Sequence, residues 1–173
     1  MEIIKIPEKR VSSLIGDNGK TKKRIEKVCN VKLSIHEEGE VEINGETADE
    51  FFAIDVIKAI GRGFEPNDAL LVIKDDYQFF LMDLKGYLSN EKAIKRIKGR
   101  VIGEKGKIKI EIEEATESKI SIYGNTIGII AKLDTIEYAK EAVLMIVNGS
   151  THNRVFGYLG RIRKQILADR LKG

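Results

Sequence analysis

The chain has 173 residues, 42% hydrophobic and 33% charged, with a formal net charge of +3 and a single cysteine, Cys29. That suffices for one or two small folded domains and excludes a disulfide framework or a cysteine metal cluster. No run approaches the roughly 20 apolar residues of a membrane span, and Met1-Glu2-Ile3-Ile4-Lys5 lacks a signal-peptide pattern, so the expected compartment is the cytoplasm.

Residues 2–6 read as a strand and 8–15 as a short helix that stops at Gly16. Beyond the loop Gly16-Asp17-Asn18-Gly19, residues 20–29 read as a helix with Ile25 and Val28 inward and Lys22, Lys23, Arg24 and Lys27 outward. Cys29, near the end of the apolar face, is expected as a buried thiol. Val, Leu and Ile alternate with Lys and Ser over 31–35, as in a half-buried strand. An acidic turn leads to a strand at 41–44 and a helix over 47–61. Gly61-Arg62-Gly63-Phe64-Glu65-Pro66 breaks the pattern, 67–74 reads as a short helix, and Asp75-Asp76 marks the expected boundary between domains at 1–75 and 76–173. A strand at 77–84 and a basic helix at 90–102 lead to a second loop; a helix to Thr116, strands at 119–123 and 126–131 and a helix at 135–147 follow. Residues 151–172 form a final helix whose stripe of Val155, Leu159, Ile162 and Ile166 suits docking on a core. Its arginines are available to nucleic acid.

The most informative feature is a repetition. Leu14-Ile15-Gly16-Asp17-Asn18-Gly19-Lys20 returns 87 residues later as Val101-Ile102-Gly103-Glu104-Lys105-Gly106-Lys107. At the same offset Ile25 answers Ile112, and Val31-Lys32-Leu33-Ser34-Ile35 answers Ser118-Lys119-Ile120-Ser121-Ile122. One Gly-x-x-Gly says little; two in the same order of elements imply a duplicated unit. Charge follows the duplication: residues 1–35 carry +5, 36–90 carry −9, 91–109 carry +6, 110–150 carry −4 and 151–173 carry +5. Positive charge at matching repeat positions points to a polyanion. Glycines at a helix start let a sugar-phosphate backbone approach the peptide chain, and the helix offers unpaired N–H groups and a positive dipole end. A Walker loop needs four residues between its glycines, and Lys107-Ile108 supplies no hydroxyl for magnesium. With no nucleophile–His–acid set or metal-ligand cluster in view, an enzyme is not expected.

The paired loops and their following strands resemble the K-homology (KH) family of single-stranded nucleic-acid-binding domains, over almost the whole chain. The resemblance implies an α+β fold of two type I, eukaryotic-type KH domains, each a three-stranded antiparallel sheet packed on three helices, plus a C-terminal helix. It also implies a groove for about four nucleotides. By carry-over, Gly16, Asp17, Asn18 and Gly19, and Gly103, Glu104, Lys105 and Gly106, clamp RNA backbone. Lys20, Lys22, Lys23, Arg100 and Lys107 add charge, while Ile15, Leu33, Ile35, Ile102, Ile120 and Ile122 line the base-facing side. Asp17 and Glu104 are acidic where the family often has a basic or neutral residue, which weakens a loop's grip. The second copy is expected to be the stronger site because Lys95, Arg96, Lys98 and Arg100 approach its loop.

Gly61-Arg62-Gly63-Phe64-Glu65-Pro66-Asn67-Asp68-Ala69-Leu70 and Lys98-Gly99-Arg100-Val101-Ile102-Gly103 resemble the archaeal two-domain KH proteins related to the eukaryotic small-subunit pre-rRNA processing factor. The second motif also resembles a related small-subunit assembly factor. The resemblance implies binding near the 3′ end of small-subunit rRNA, with the endonuclease that matures that end or a translation factor as protein partner, and no cofactor, metal or membrane. The alternative is a KH-fold scaffold that mainly binds protein, using the acidic stretches at 37–42 and 49–55.

Overall fold

The computed structural model describes residues 1–173. Its first half runs β1 (Glu2–Lys5), α1 (Val11–Ile15), α2 (Lys20–Cys29), β2 (Lys32–Ile35), β3 (Glu40–Asn44) and α3 (Thr47–Gly61). Alternation makes the sheet: Val41 and Ile43 of β3 are fully buried while Glu40 and Asn44 are exposed. β3 lies centrally, with β1 and β2 antiparallel on either side. Ala53, Val56, Ile57 and Ile60, at helical spacing on α3, are buried with Leu14 of α1 and Ile25 of α2. Arg10 fastens the far end of α3, its guanidinium donating to the carbonyls of Ile60 (2.8 Å) and Phe64 (3.0 Å).

After α4 (Pro66–Ala69) and a 3-10 turn at Leu70–Ile73, the same order returns as β4 (Tyr77–Asp83), α5 (Glu91–Ile102), α6 (Lys107–Thr116), β5 (Lys119–Tyr123), β6 (Thr126–Lys132) and α7 (Ile136–Val147). The second sheet has the order β4-β6-β5. Asn90 caps α5, its side chain accepting the Ala93 N–H at 2.8 Å. α8 (His152–Lys172) closes the chain, and Val155 and Leu159 enter the second core beside Ile112, Ile129 and Val143. By its contacts the chain forms two compact units, Met1–Phe79 and Phe80–Gly173. No helix is long and apolar enough to cross a membrane.

The expected α+β architecture is the one observed, with the expected order of strands and helices in each half. Three local readings differ. The first helix opens as a 3-10 turn at Glu8–Arg10. The segment after Pro66 is one α-turn followed by a 3-10 turn. Val28 is 47% exposed, because Ile25 and Cys29, four residues apart, take the inward positions of α2 and leave Val28 facing a shallow hollow lined by Leu70 and Leu71.

Candidate nucleic-acid interface

Each loop joins two helices through the same sequence of torsions. Gly16 has φ 72°, ψ 177°, Asn18 φ 53°, ψ 30°, and Gly19 φ 74°, ψ 14°. At the 87-residue offset Gly103 has φ 75°, ψ 174°, Lys105 φ 54°, ψ 27°, and Gly106 φ 74°, ψ 11°. The two glycines of each loop do different work. A Cβ on Gly16 would lie 2.3 Å from Thr21 Oγ1, and one on Gly103 2.5 Å from Ile108 Cγ1; the first glycine is demanded by the chain's own packing. Nothing lies within 4 Å of a Cβ at Gly19, and only Ile110 Cδ1, at 3.9 Å, near one at Gly106. The second glycine faces open space, beside the exposed Asp17, Asn18 and Lys20 in one copy and Glu104, Lys105 and Lys107 in the other. α2 and α6 then present their N-termini there.

The aliphatic residues separate into two groups. Ile15, Ile35 and Ile122 are half-buried and Ile102 is 38% exposed, so each has surface to offer. Leu33 and Ile120, expected on the base-facing side, are each only 4% exposed and belong to the cores. Their contribution is main chain. His36 donates its N–H to Glu40 O, which fixes the antiparallel phase and turns the N–H and C=O of Leu33 and Ile35 toward the open edge of β2. There the Glu26 carboxylate accepts the Leu33 N–H at 2.9 Å, and Glu113 accepts the Ile120 N–H at 2.9 Å. Sequence reasoning missed these two clips, although both glutamates stand at the repeat offset.

Lys22 is half-buried and Lys23 exposed on α2. Arg100, expected to approach the second loop, instead donates to the carbonyls of Ile146 and Ser150 at the end of α7, the task Arg10 performs for α3. Lys95 and Arg96 remain exposed on α5. His36, Glu40 and Glu42 bring potential metal-ligating atoms within 4.8 Å of one another at the β2–β3 hairpin, a grouping the sequence reading did not identify. All lie at the surface, and the 3.2 Å contact between His36 and Glu42 accounts for part of it without an ion.

A family model for the eukaryotic-type KH domain (type I) matches residues 78–164, and one for the KH domain matches residues 1–59. A KH domain-containing protein of Methanocaldococcus jannaschii is 41% identical over 177 residues, which covers 99% of this chain and 78% of the relative. Pre-rRNA-processing protein pno1 of Aspergillus fumigatus is 29% identical over 116 residues, 65% of this chain and 46% of its own length. The chain thus spans under half of that fungal relative. Among solved structures, the a/eIF2alpha–aDim2p–rRNA complex from Pyrococcus horikoshii contains a chain with TM-score 0.87 and 37% identity, covering 95% of this chain and 94% of that one.

Proposed function

Because this chain belongs to the KH-domain family, with one KH match in each half, and is similar to Pno1 and Dim2p, we propose that it is a non-catalytic single-stranded RNA-binding protein of small-subunit ribosome biogenesis. Its target is the 3′ region of small-subunit rRNA. The observation that carries the reading is the pair of loops with matching torsions whose second glycine opens outward, so that main-chain amides can hold phosphate without a side chain intervening. Base discrimination then falls to the open edges of β2 and β5, at Ile35 and Ile122. The domains are assigned to residues 1–75 and 76–173, the compartment is the cytoplasm, and the chemistry needs no cofactor. The neighbouring complex, with rRNA and a/eIF2alpha, supports RNA and a translation factor as partners; the rRNA 3′-end endonuclease is the other protein candidate.

A labelled single-stranded RNA of that 3′ sequence tests the reading by fluorescence anisotropy. Asn18→Asp with Lys20→Glu, and Lys105→Asp with Lys107→Glu, should each weaken binding. Unchanged affinity in both would overturn it. A second reading, a scaffold that mainly binds protein, is favoured by one observation: Phe51 (66% exposed) and Phe52 (43%) lie on α3 beside exposed Glu46 and half-buried Asp49. Crosslinking to precursor rRNA separates the two, since a scaffold yields no defined crosslinked nucleotides.

A further inference from the structure

At the 87-residue offset, the helices that follow the two loops carry different charge along the same ridge. On α2 the ridge leading away from the loop is Lys20, Lys23 and Lys27, each one turn beyond the last, and all three are exposed. On α6 the same positions hold Lys107, Ile110 and Glu114, also exposed. Each ridge borders an open groove between its helix and the start of the edge strand, of about 530 Å³ in the first unit and 430 Å³ in the second. The linings correspond: Lys23, Lys27 and Lys32 of the first groove are Ile110, Glu114 and Lys119 of the second. Asn30, in the first lining, becomes Glu117, whose charge is met by Arg170 of α8. Each groove carries one corresponding carboxylate, Glu26 or Glu113, which accepts a main-chain N–H of its edge strand; beyond it the first groove presents three ammonium groups, while the second adds Glu114 in mid-course.

We infer that Lys23 and Lys27, with Lys32 on the facing strand, form a further phosphate-binding subsite for single-stranded RNA that only the first domain possesses. The inference rests on the RNA-binding reading above. A strand held at the first loop continues along α2 for about 10 Å between Lys20 and Lys27, with a positive group at each turn. A strand held at the second loop meets Glu114 at the equivalent place, where like charge repels it, and its grip ends near Lys107. The lysines act as point charges and read no base, so the subsite lengthens the footprint without narrowing sequence choice. This reverses the order expected from Lys95, Arg96, Lys98 and Arg100, the last of which is committed to the end of α7.

The test uses the full chain with one loop disabled at a time, by the double substitutions given above, and single-stranded RNAs of about four and about eight nucleotides. With the second loop disabled, lengthening the RNA should raise affinity by roughly tenfold or more and steepen the log–log salt slope by about 2, the value for three added phosphate contacts. With the first loop disabled, the gain should stay under about threefold. Lys23→Ile with Lys27→Glu should abolish the gain in the first domain, and Ile110→Lys with Glu114→Lys should confer it on the second. All four positions are exposed, and a circular-dichroism melt checks that each variant folds. Equal gains in both domains, or a gain that survives Lys23→Ile with Lys27→Glu, overturns the subsite while RNA binding stands. An unmodified chain that binds neither RNA overturns the functional reading and the subsite with it.

Discussion

A glycine can be required by its own fold or by what must approach it, and the two loops contain one of each kind. Gly16 and Gly103 combine positive φ with ψ near 180°, a region essentially closed to other residues, and their missing Cβ is already crowded by Thr21 or Ile108. Gly16→Ala should therefore lower folding stability by about 1–3 kcal/mol, read as a fall in urea midpoint. Gly19 sits in the left-handed helical region with open space around it, and Asn18, an ordinary L-residue, occupies a nearby conformation. Gly19→Ala should cost only about 1 kcal/mol of stability but reduce RNA affinity, because the new methyl stands where phosphate is expected. The sequence marked all four glycines alike, since nothing in Gly-x-x-Gly says which Cβ would strike protein. Cys29 was legible as a buried thiol, and burial, with Asp49 second, pushes its pKa from 9.0 to about 11. Folding thus favours the protonated thiol, a contribution intact below pH 9 and lost as pH rises through about 11. The melting temperature should fall over that window less steeply in Cys29→Ala than in the unmodified chain.

Elements were legible because their apolar periods are strong; which charged side chains fasten them was not. The stripe of Val155, Leu159, Ile162 and Ile166 announced that α8 docks on a core, and all four are buried. Leu159→Ala should cost about 2–5 kcal/mol, measured by denaturant unfolding. The arginines around that stripe looked available to nucleic acid, yet Arg163 pairs with Glu111 at 3.0 Å and Arg170 with Glu117. Solvent screens such exposed pairs and leaves them little to contribute, so Arg163→Gln with Arg170→Gln should leave both stability and RNA affinity nearly unchanged. Arg100 differs, because two backbone carbonyls at the end of α7 depend on it. Arg100→Ala should destabilise by about 1–3 kcal/mol without altering the salt slope of RNA binding. Sequence proximity placed Arg100 beside a loop only three residues away; the partners that claim it are 46 and 50 residues distant.

Charge over the whole chain sets an upper bound that the structure then lowers. Residues 1–35 hold nine lysines and arginines and residues 91–109 hold eight; were all seventeen to neutralise phosphates, the log–log salt slope for single-stranded RNA would approach about −12. Several are withdrawn from that role. Arg10 and Arg100 bind carbonyls, Arg24 meets Asn67, and Lys109 pairs with Glu113 at 3.2 Å. The loops and the Lys23, Lys27 and Lys32 subsite leave four to seven phosphate contacts, for which the slope is about −3 to −5. Titrating the intact chain with an eight-nucleotide RNA from low to moderate salt should return a value in that interval. A slope beyond about −8 would mean that RNA settles on the basic surface at large, as on any polycation, and that the two glycine loops are not what holds it.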